Sequence, residues 1–381
     1  MRIALATVLA LLALAAPASA DYVIDGRGWG HGVGMSQYGA YGYALNEGRD
    51  FRWILGHYYT GTNVGRVATS RIRVRLRRTR VPKVCGATLL RDARGRRVRL
   101  RDTRVYRLNP RGPDGLRVVD ASNGRTRARV QAPVRVSGGT SVCLRGGAEN
   151  GVSNGSYRGS LRLYRDRGAS VVVNDLGLES YLYGVVASEM PSSWATEALK
   201  AQAVVARSYA LRSRRPAEAF DVYADTRSQV YRGIAGEAAT AVAAVRATRA
   251  MAVRYGVEIA QTFFFSTSGG RTAANEEGFG GGLPVPYLRS VDDPYDTMSP
   301  LHTWTVRLTD REASKKLADV RLGALDDLAV SGTTPSGRVA TLDVVGEDGT
   351  AEISGGSARA LLELRSSWFT VRREDARPTR R

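Results

Sequence analysis

The sequence predicts an α+β protein with a small β-rich module inserted into a larger mixed domain. Three observations carry that expectation. From Arg71 to Arg77, Ile72, Val74 and Leu76 alternate with arginines, the period-two signature of a strand with one solvated face. Between 195 and 212 the chain is rich in alanine, with Leu199, Val204, Val205 and Leu211 placed for a closely packed helix. With 381 residues, 43% of them hydrophobic, there is apolar material for one large domain or two ordinary ones.

Taken in order, the chain opens with Arg2, an apolar run from Ile3 to Ala16 and the small-residue site Ala18-Ser19-Ala20. This reads as a secretory signal peptide over 1–20, because the run falls short of the ~20 apolar residues needed to cross a bilayer. The mature protein is therefore expected to be secreted or in the cell envelope, outside the cytoplasmic membrane and at most peripheral to it. Segment 21–66 is dense in glycine and aromatics. Segment 67–155 reads as the β-rich module, with strands at 71–77, 96–100, 116–119, 127–136 and 141–144 separated by Gly, Pro and Asn-Gly signals. Segment 156–371 begins with strands at 160–164 and 170–173, followed by a helix from Glu179 to Met190. Pro191 stops that helix because the residue before a proline is pushed out of the helical region. Further helices are expected at 195–212 and 237–255. They are followed by a strand at 261–265, the turn Ser266-Thr267-Ser268-Gly269-Gly270, an irregular Gly/Pro-rich loop at 276–300, and strands with one or two helices to 371. Residues 372–381 form a basic tail.

The charge is one-sided. The chain has 56 Lys and Arg against 36 Asp and Glu, and 52 of the cations are arginines, giving +20, or +19 without residues 1–20. Such a balance favours a polyanionic partner, whether nucleic acid, anionic membrane or acidic wall polymer. Export argues against nucleic acid. Arginine in preference to lysine also reads as a reflection of genomic base composition. Cys85 and Cys143 are expected to pair in an oxidising compartment. The three histidines, His31, His57 and His302, lack the paired spacing of a zinc site, so no metal and no cofactor is expected.

Two motifs carry chemistry. The first is Glu189-Met190-Pro191 with Glu197-Ala-Leu-Lys-Ala-Gln-Ala following eight residues after the first glutamate; the second is GWGHGVGMSQYGAYGYA, Gly28 to Ala44. Glu189 sits at a helix C-terminus among Val185, Val186 and Met190. There the partial negative charge of unsatisfied carbonyls and the apolar surroundings should keep its carboxyl protonated, as a general acid requires. A solvated glutamate paired with a nearby arginine is the alternative that the residues alone leave open.

The stretch from Val172 to Leu211 closely resembles the core of the sporulation stage II protein D / amidase-enhancer B family. The likeness continues through the 237–255 segment, Phe263–Thr272 and Pro286–Asp296, and includes the Gly28–Ala44 motif with the following ILGHYYTGT. Family members commonly carry that glycine-rich motif near the C-terminus, so its N-terminal place here departs from the usual order. Module 67–155 is not explained by the likeness. The resemblance implies a sporulation-D-type catalytic domain over 156–371, with 21–66 packed against it. It further implies a lytic transglycosylase acting on peptidoglycan glycan strands stripped of stem peptides, with Glu189 as general acid and then base. The runner-up is a non-catalytic enhancer that binds the wall and stimulates a partner amidase. Substrate contacts are expected from His31, Ser36 and Gln37, from Lys200, Gln202 and Arg207, and from Ser266, Thr267 and Ser268. Some members bind zinc in the segment matching Phe220–Gly233, which here has neither Cys nor His. Should the chemistry be hydrolytic, Asp225, Asp292 and Asp293 are the available second carboxylates.

Overall fold

The computed structural model describes residues 21–68 and 70–374. The expected signal peptide and residues 375–381 of the expected tail lie outside the described residues. Helices and strands are mixed along the chain, as the α+β expectation requires.

An eleven-stranded sheet organises the larger part. Its order is Thr126–Gln131, Gly115–Asp120, Tyr106–Arg111, Lys83–Cys85, Val134–Arg145, Ser156–Asp166, Ala169–Gly177, Arg71–Thr79 and Val222–Tyr223, with Leu89–Arg91 and Arg97–Arg99 branching from Val134–Arg145. All pairings are antiparallel except that of Val222–Tyr223 with Arg71–Thr79. The sheet runs without interruption through the boundary placed at 155, because Val134–Arg145 pairs with Ser156–Asp166 from Val134↔Leu163 to Cys143↔Ser156. In Arg71–Thr79 the alternation is as read: Ile72, Val74 and Leu76 are buried while the arginines between them reach outward. Ala169–Gly177 is buried along nearly its whole length, Ser170, Asn174 and Asp175 as well as its valines.

Helix Leu178–Glu189 follows directly, and Thr196–Arg212 and Ala239–Ala247 pack with it over the sheet. The expected helix over 237–255 is shorter. It ends at Ala247, and Met251–Tyr255 is instead a strand pairing with Asn63–Arg66 and Glu258–Ile259. The break falls where Ala250 takes φ +58° and Thr248 turns its hydroxyl back onto the Ala244 carbonyl, ending the helix. The strand read at 261–265 reduces to Phe264–Phe265, which pairs in parallel with Met35–Ser36.

A second, separate core lies at the other end. The strand Asp21–Arg27 runs between Thr303–Thr309 and Phe369–Glu374, antiparallel to both, so that Asp21 faces Thr309 on one side and Glu374 on the other. Arg372–Glu374, expected in the tail, belong to this sheet. A meander of Leu325–Thr333, Val339–Gly346 and Gly349–Ser354 and the helices Asp310–Lys316 and Gly355–Leu361 complete the core around Tyr22, Ile24, Trp304 and Leu342. Among the described residues no helix is long and apolar enough to cross a membrane.

Cys85 and Cys143 lie opposite one another on paired strands and form a disulfide, with Cα atoms 4.9 Å apart. The bond closes a loop of 58 residues, for which the chain-entropy account assigns about 4 kcal/mol of stability. The variant Cys85→Ala/Cys143→Ala is expected to lose several kcal/mol in denaturant unfolding. An unchanged midpoint would mean that the sheet holds this loop without help.

Candidate active site

Glu189 is the last residue of helix Leu178–Glu189, and the extended Met190 that follows carries the chain away before Pro191. Its carboxyl opens into a cleft of about 420 Å³. Three stretches distant in sequence meet there: the glycine-rich segment supplies Trp29, His31 and Gln37, the loop 226–228 supplies Thr226 to Ser228, and Phe263 to Ser266 form a wall with Phe279 and Tyr209. Among the described lining residues Glu189 is the single carboxylate.

The surroundings decide its charge. Glu189 Oε1 accepts a hydrogen bond from the Val230 N–H at 2.5 Å, and no ion pair reaches it among the described residues. Burial pushes its pKa up to about 7, against the lowering effect of the Val230 bond and of Arg232 at longer range. The raised direction is that read from the sequence. The leading cause is desolvation.

Gln37 joins the glycine-rich motif to this residue, its Nε2 donating to the Glu189 carbonyl at 3.0 Å and to Gln202 Oε1 at 3.4 Å. Gln202 is fully buried behind Gln37, and its own Nε2 has no partner among the described residues. Ser36 does not face the cleft; it caps helix Gln37–Asn46 by accepting from the Gly39 N–H. Gly39 is required by close approach, since a Cβ there would run into Asp293 Oδ1 and Tyr58 Oη.

His31 lines the cleft, yet both ring nitrogens are engaged. Nδ1 accepts from the Val33 N–H at 3.1 Å, so Nε2 carries the proton and donates to the Phe264 carbonyl at 3.1 Å. Burial, with Arg359 and Arg338 at longer range, lowers its pKa to about 4, so the ring is a neutral clamp that joins the glycine-rich loop to the aromatic wall. It also stands against Phe263, Phe265 and Phe279.

Ser266 lines the cleft, whereas Thr267 and Ser268 are buried behind it. Thr267 Oγ1 bonds to Ser299 Oγ at 2.8 Å, and Ser268 Oγ donates to Asp296 Oδ2 at 2.9 Å. The buried Arg338 guanidinium donates to the carbonyl of Arg271 and, more weakly, to that of Ser268, which attaches this turn to the second core. Arg207 and Lys200 are not brought to the cleft either. Arg207 is fully buried and grips Glu179 with two hydrogen bonds at 3.0 and 2.8 Å, also donating to the Met251 carbonyl. Lys200 pairs with Glu197 one turn earlier, at 2.6 Å. Both serve packing of the helices, since the seven-residue spacing that puts them on one face does not tell which face meets the groove.

The three aspartates available to a hydrolytic mechanism are placed elsewhere. Asp225 is held ionised by Arg227, Asp292 is exposed and paired with Arg271, and Asp293 is buried against the Tyr58 hydroxyl. Sequence reasoning missed the aromatic contribution. Trp29 and Phe279 are 47% and 48% exposed at the cleft, enough to offer ring faces to a ligand, and the triple Phe263–Phe265 with the Gly-Trp-Gly step was the available signal. It also missed the Val230 N–H, a backbone group that no side-chain pattern could announce.

The raised pKa fixes the sign of a pH effect. A folded carboxyl that prefers its neutral form contributes stability that is complete below pH 4.5 and lost by about pH 7. Glu189→Gln is therefore expected to match the parent in acid and to exceed it by up to about 3 kcal/mol at pH 8, read from urea unfolding at both pH values. Equal stability at pH 8 would show an ordinary, solvated glutamate. Gly39→Ala is expected to lose about 1–3 kcal/mol by overpacking, read as a lower unfolding midpoint.

Residues 166–255 match the family model described as stage II sporulation protein. The chain is 33% identical to the stage II sporulation protein D of Bacillus subtilis over 231 residues, 56% of this chain and 65% of that protein. It is 33% identical to the stage II sporulation protein D of Bacillus amyloliquefaciens over 233 residues, again 56% of this chain and 65% of the relative. It is 29% identical to the amidase enhancer of Bacillus subtilis over 196 residues, 42% of this chain and 26% of that protein. The matches thus span somewhat under two thirds of the length of the stage II relatives. The helix ending in Glu189, the helix Thr196–Arg212 behind it and the sheet strand leading into them all lie within the residues that match the stage II sporulation protein model.

Proposed function

We propose that the protein is exported and cleaves peptidoglycan glycan strands as a lytic transglycosylase, with Glu189 as its general acid and base. The observation that carries this reading is a lone carboxyl, held protonated near neutrality, in a cleft walled by exposed aromatic rings. Pyranose rings present apolar faces that suit Trp29 and Phe279, while Gln37, Thr226, Ser228 and Ser266 offer hydrogen bonds to hydroxyls and acyl groups.

The chemistry needs one such group. Glu189 gives its proton to the bridging oxygen as the glycosidic bond breaks and the anomeric carbon takes on oxocarbenium character. The carboxylate so formed then removes the proton from the C6 hydroxyl of the same muramic residue as that oxygen bonds to the anomeric carbon. A 1,6-anhydro end results, Glu189 is protonated again, and no water enters. A hydrolase would call for a second carboxylate beside the scissile bond, and none of Asp225, Asp292 and Asp293 lines the cleft. Export is supported by the apolar run and small-residue site at 1–20 and by the Cys85–Cys143 disulfide.

The likeness to an amidase enhancer favours a second reading, in which the same groove binds wall or a partner amidase without cleaving. Mass analysis of stem-peptide-free glycan strands incubated with the protein separates the two. Anhydromuramic ends that fall about 10²–10⁴-fold in rate with Glu189→Gln are expected. Binding without cleavage would give the enhancer reading, and reducing ends would mean hydrolysis. Because the acid form is the active one, the cleavage rate is expected to fall as pH rises through about 7; a rate that climbs through that range would exclude Glu189 as the proton donor.

A further inference from the structure

Most of the chain's net charge is gathered in one place. Segment 67–155 contains 22 Lys and Arg against 5 Asp and Glu, a net +17 of the chain's +20. The sheet's register then lines cations up. Arg97 lies opposite Arg91, Arg91 opposite Arg135, and Arg135 opposite Arg162, so four arginines on four neighbouring strands make one row. Their neighbours Leu90, Val134 and Val136 point into the core, which puts the row on the solvent face. A second row, Arg107, Lys83 and Arg145, crosses where Val84 and Leu144 are buried.

Like charges directly opposite one another weaken a sheet. Of the first row only Arg162 is neutralised, by Asp175 at 2.6 Å. Arg91, Arg97 and Arg135 are exposed, meet no carboxylate among the described residues, and rim a depression of about 350 Å³. Their Cα atoms repeat at the strand spacing of about 5 Å. Within the sheet Arg135 Nε donates to Ser160 Oγ at 3.0 Å, which leaves the row's charge uncompensated, and an anion laid across it would remove the repulsion.

We infer that the arginine row is a docking site for a linear polyol phosphate, the phosphodiester polymer of a bacterial wall. Guanidinium forks match phosphate oxygens two at a time, and a flexible chain with a phosphate in every repeat can seat successive phosphates on successive arginines. The rest of the module's surface speaks against other carriers of negative charge. Its one aromatic residue, Tyr106, is buried, so there is no platform on which nucleic-acid bases could stack. Among the described residues none of the large exposed apolar side chains lies in the module, which gives it no apolar anchor for a bilayer interface. The choice of a wall polymer rests on the glycan reading of the Glu189 cleft; the cationic face itself does not.

The test is binding of the full chain to poly(glycerol phosphate) as salt is varied, comparing the parent with Arg91→Gln/Arg97→Gln/Arg135→Gln. Expected are an affinity loss of at least about tenfold and a salt dependence shallower by about 2 in log–log slope. The triple variant should keep an unfolding midpoint equal to or above the parent's, because repulsion has been relieved, and Glu189→Gln should keep parental polymer binding. Equal affinity of parent and triple variant would overturn the proposal. So would tighter binding of the parent to duplex DNA or to phosphatidylglycerol vesicles than to poly(glycerol phosphate). Polymer binding that persists when the parent neither binds nor cleaves glycan strands would instead count against the cleft's proposed function alone.

Discussion

Holding one part-buried carboxyl group without an ion-pair partner among the described residues is the constraint around which the cleft is arranged. An acid placed this way would ionise or swing into water unless its position were enforced, and here remote segments enforce it. The Val230 N–H holds the Glu189 carboxyl, and the Tyr181 hydroxyl holds the adjoining Gln229 side chain at 3.1 Å. Gln37 holds the Glu189 carbonyl from the opposite side. With the backbone pinned on both sides of the helix end, desolvation acts on the side chain as a chemical instrument and not as a defect.

The same arrangement explains how a glycine-rich motif at one end of the chain serves a helix near its middle. Met35–Ser36 adds to Phe264–Phe265, and isolated bridges join Trp29 to Thr267 and Val33 to Ala273, so the motif is bonded into the wall along its length. The positive φ of Gly28, Gly30, Gly32 and Gly34 lets the backbone fold this closely, and at Gly34 a side chain would strike the Phe263 carbonyl. The arginine-rich module is joined to the cleft as well. Glu149, from its last turn, accepts hydrogen bonds from Arg75 in the sheet and from Arg227 on the cleft loop.

Much of this was legible in the residues, and the failures have physical causes. The stop at Pro191 and the alternation around Arg71 are local signals, enforced by sterics and by the two faces of a strand. The Ala-rich run before Met251 has helical composition throughout, and only pairing with Asn63–Arg66, nearly 190 residues away in sequence, turns Met251–Tyr255 into a strand. Arg207 shows the same limit for the site. On a helix of alanines a long cation reads as a surface or groove residue, and nothing local reveals that Glu179 waits one helix earlier to neutralise it in the core. The roles of Ser36, Thr267 and Ser268 were misplaced by a single layer: they belong to the polar network beneath the wall, whose acceptors Asp293 and Asp296 are fixed by the long loop that follows.

The placement of Asp21–Arg27 has a consequence for how the molecule comes into being. This segment is the central strand of its sheet, and both of its neighbours are made hundreds of residues later, the second of them ending at Glu374. The smaller core therefore cannot close before Glu374 has been made. Its first strand must remain unpaired until Thr303–Thr309 exists, and its closure is a long-range and correspondingly slow event. The motif that seats the acid follows immediately after that strand, so assembly of the reactive groove is tied to closure of that remote sheet.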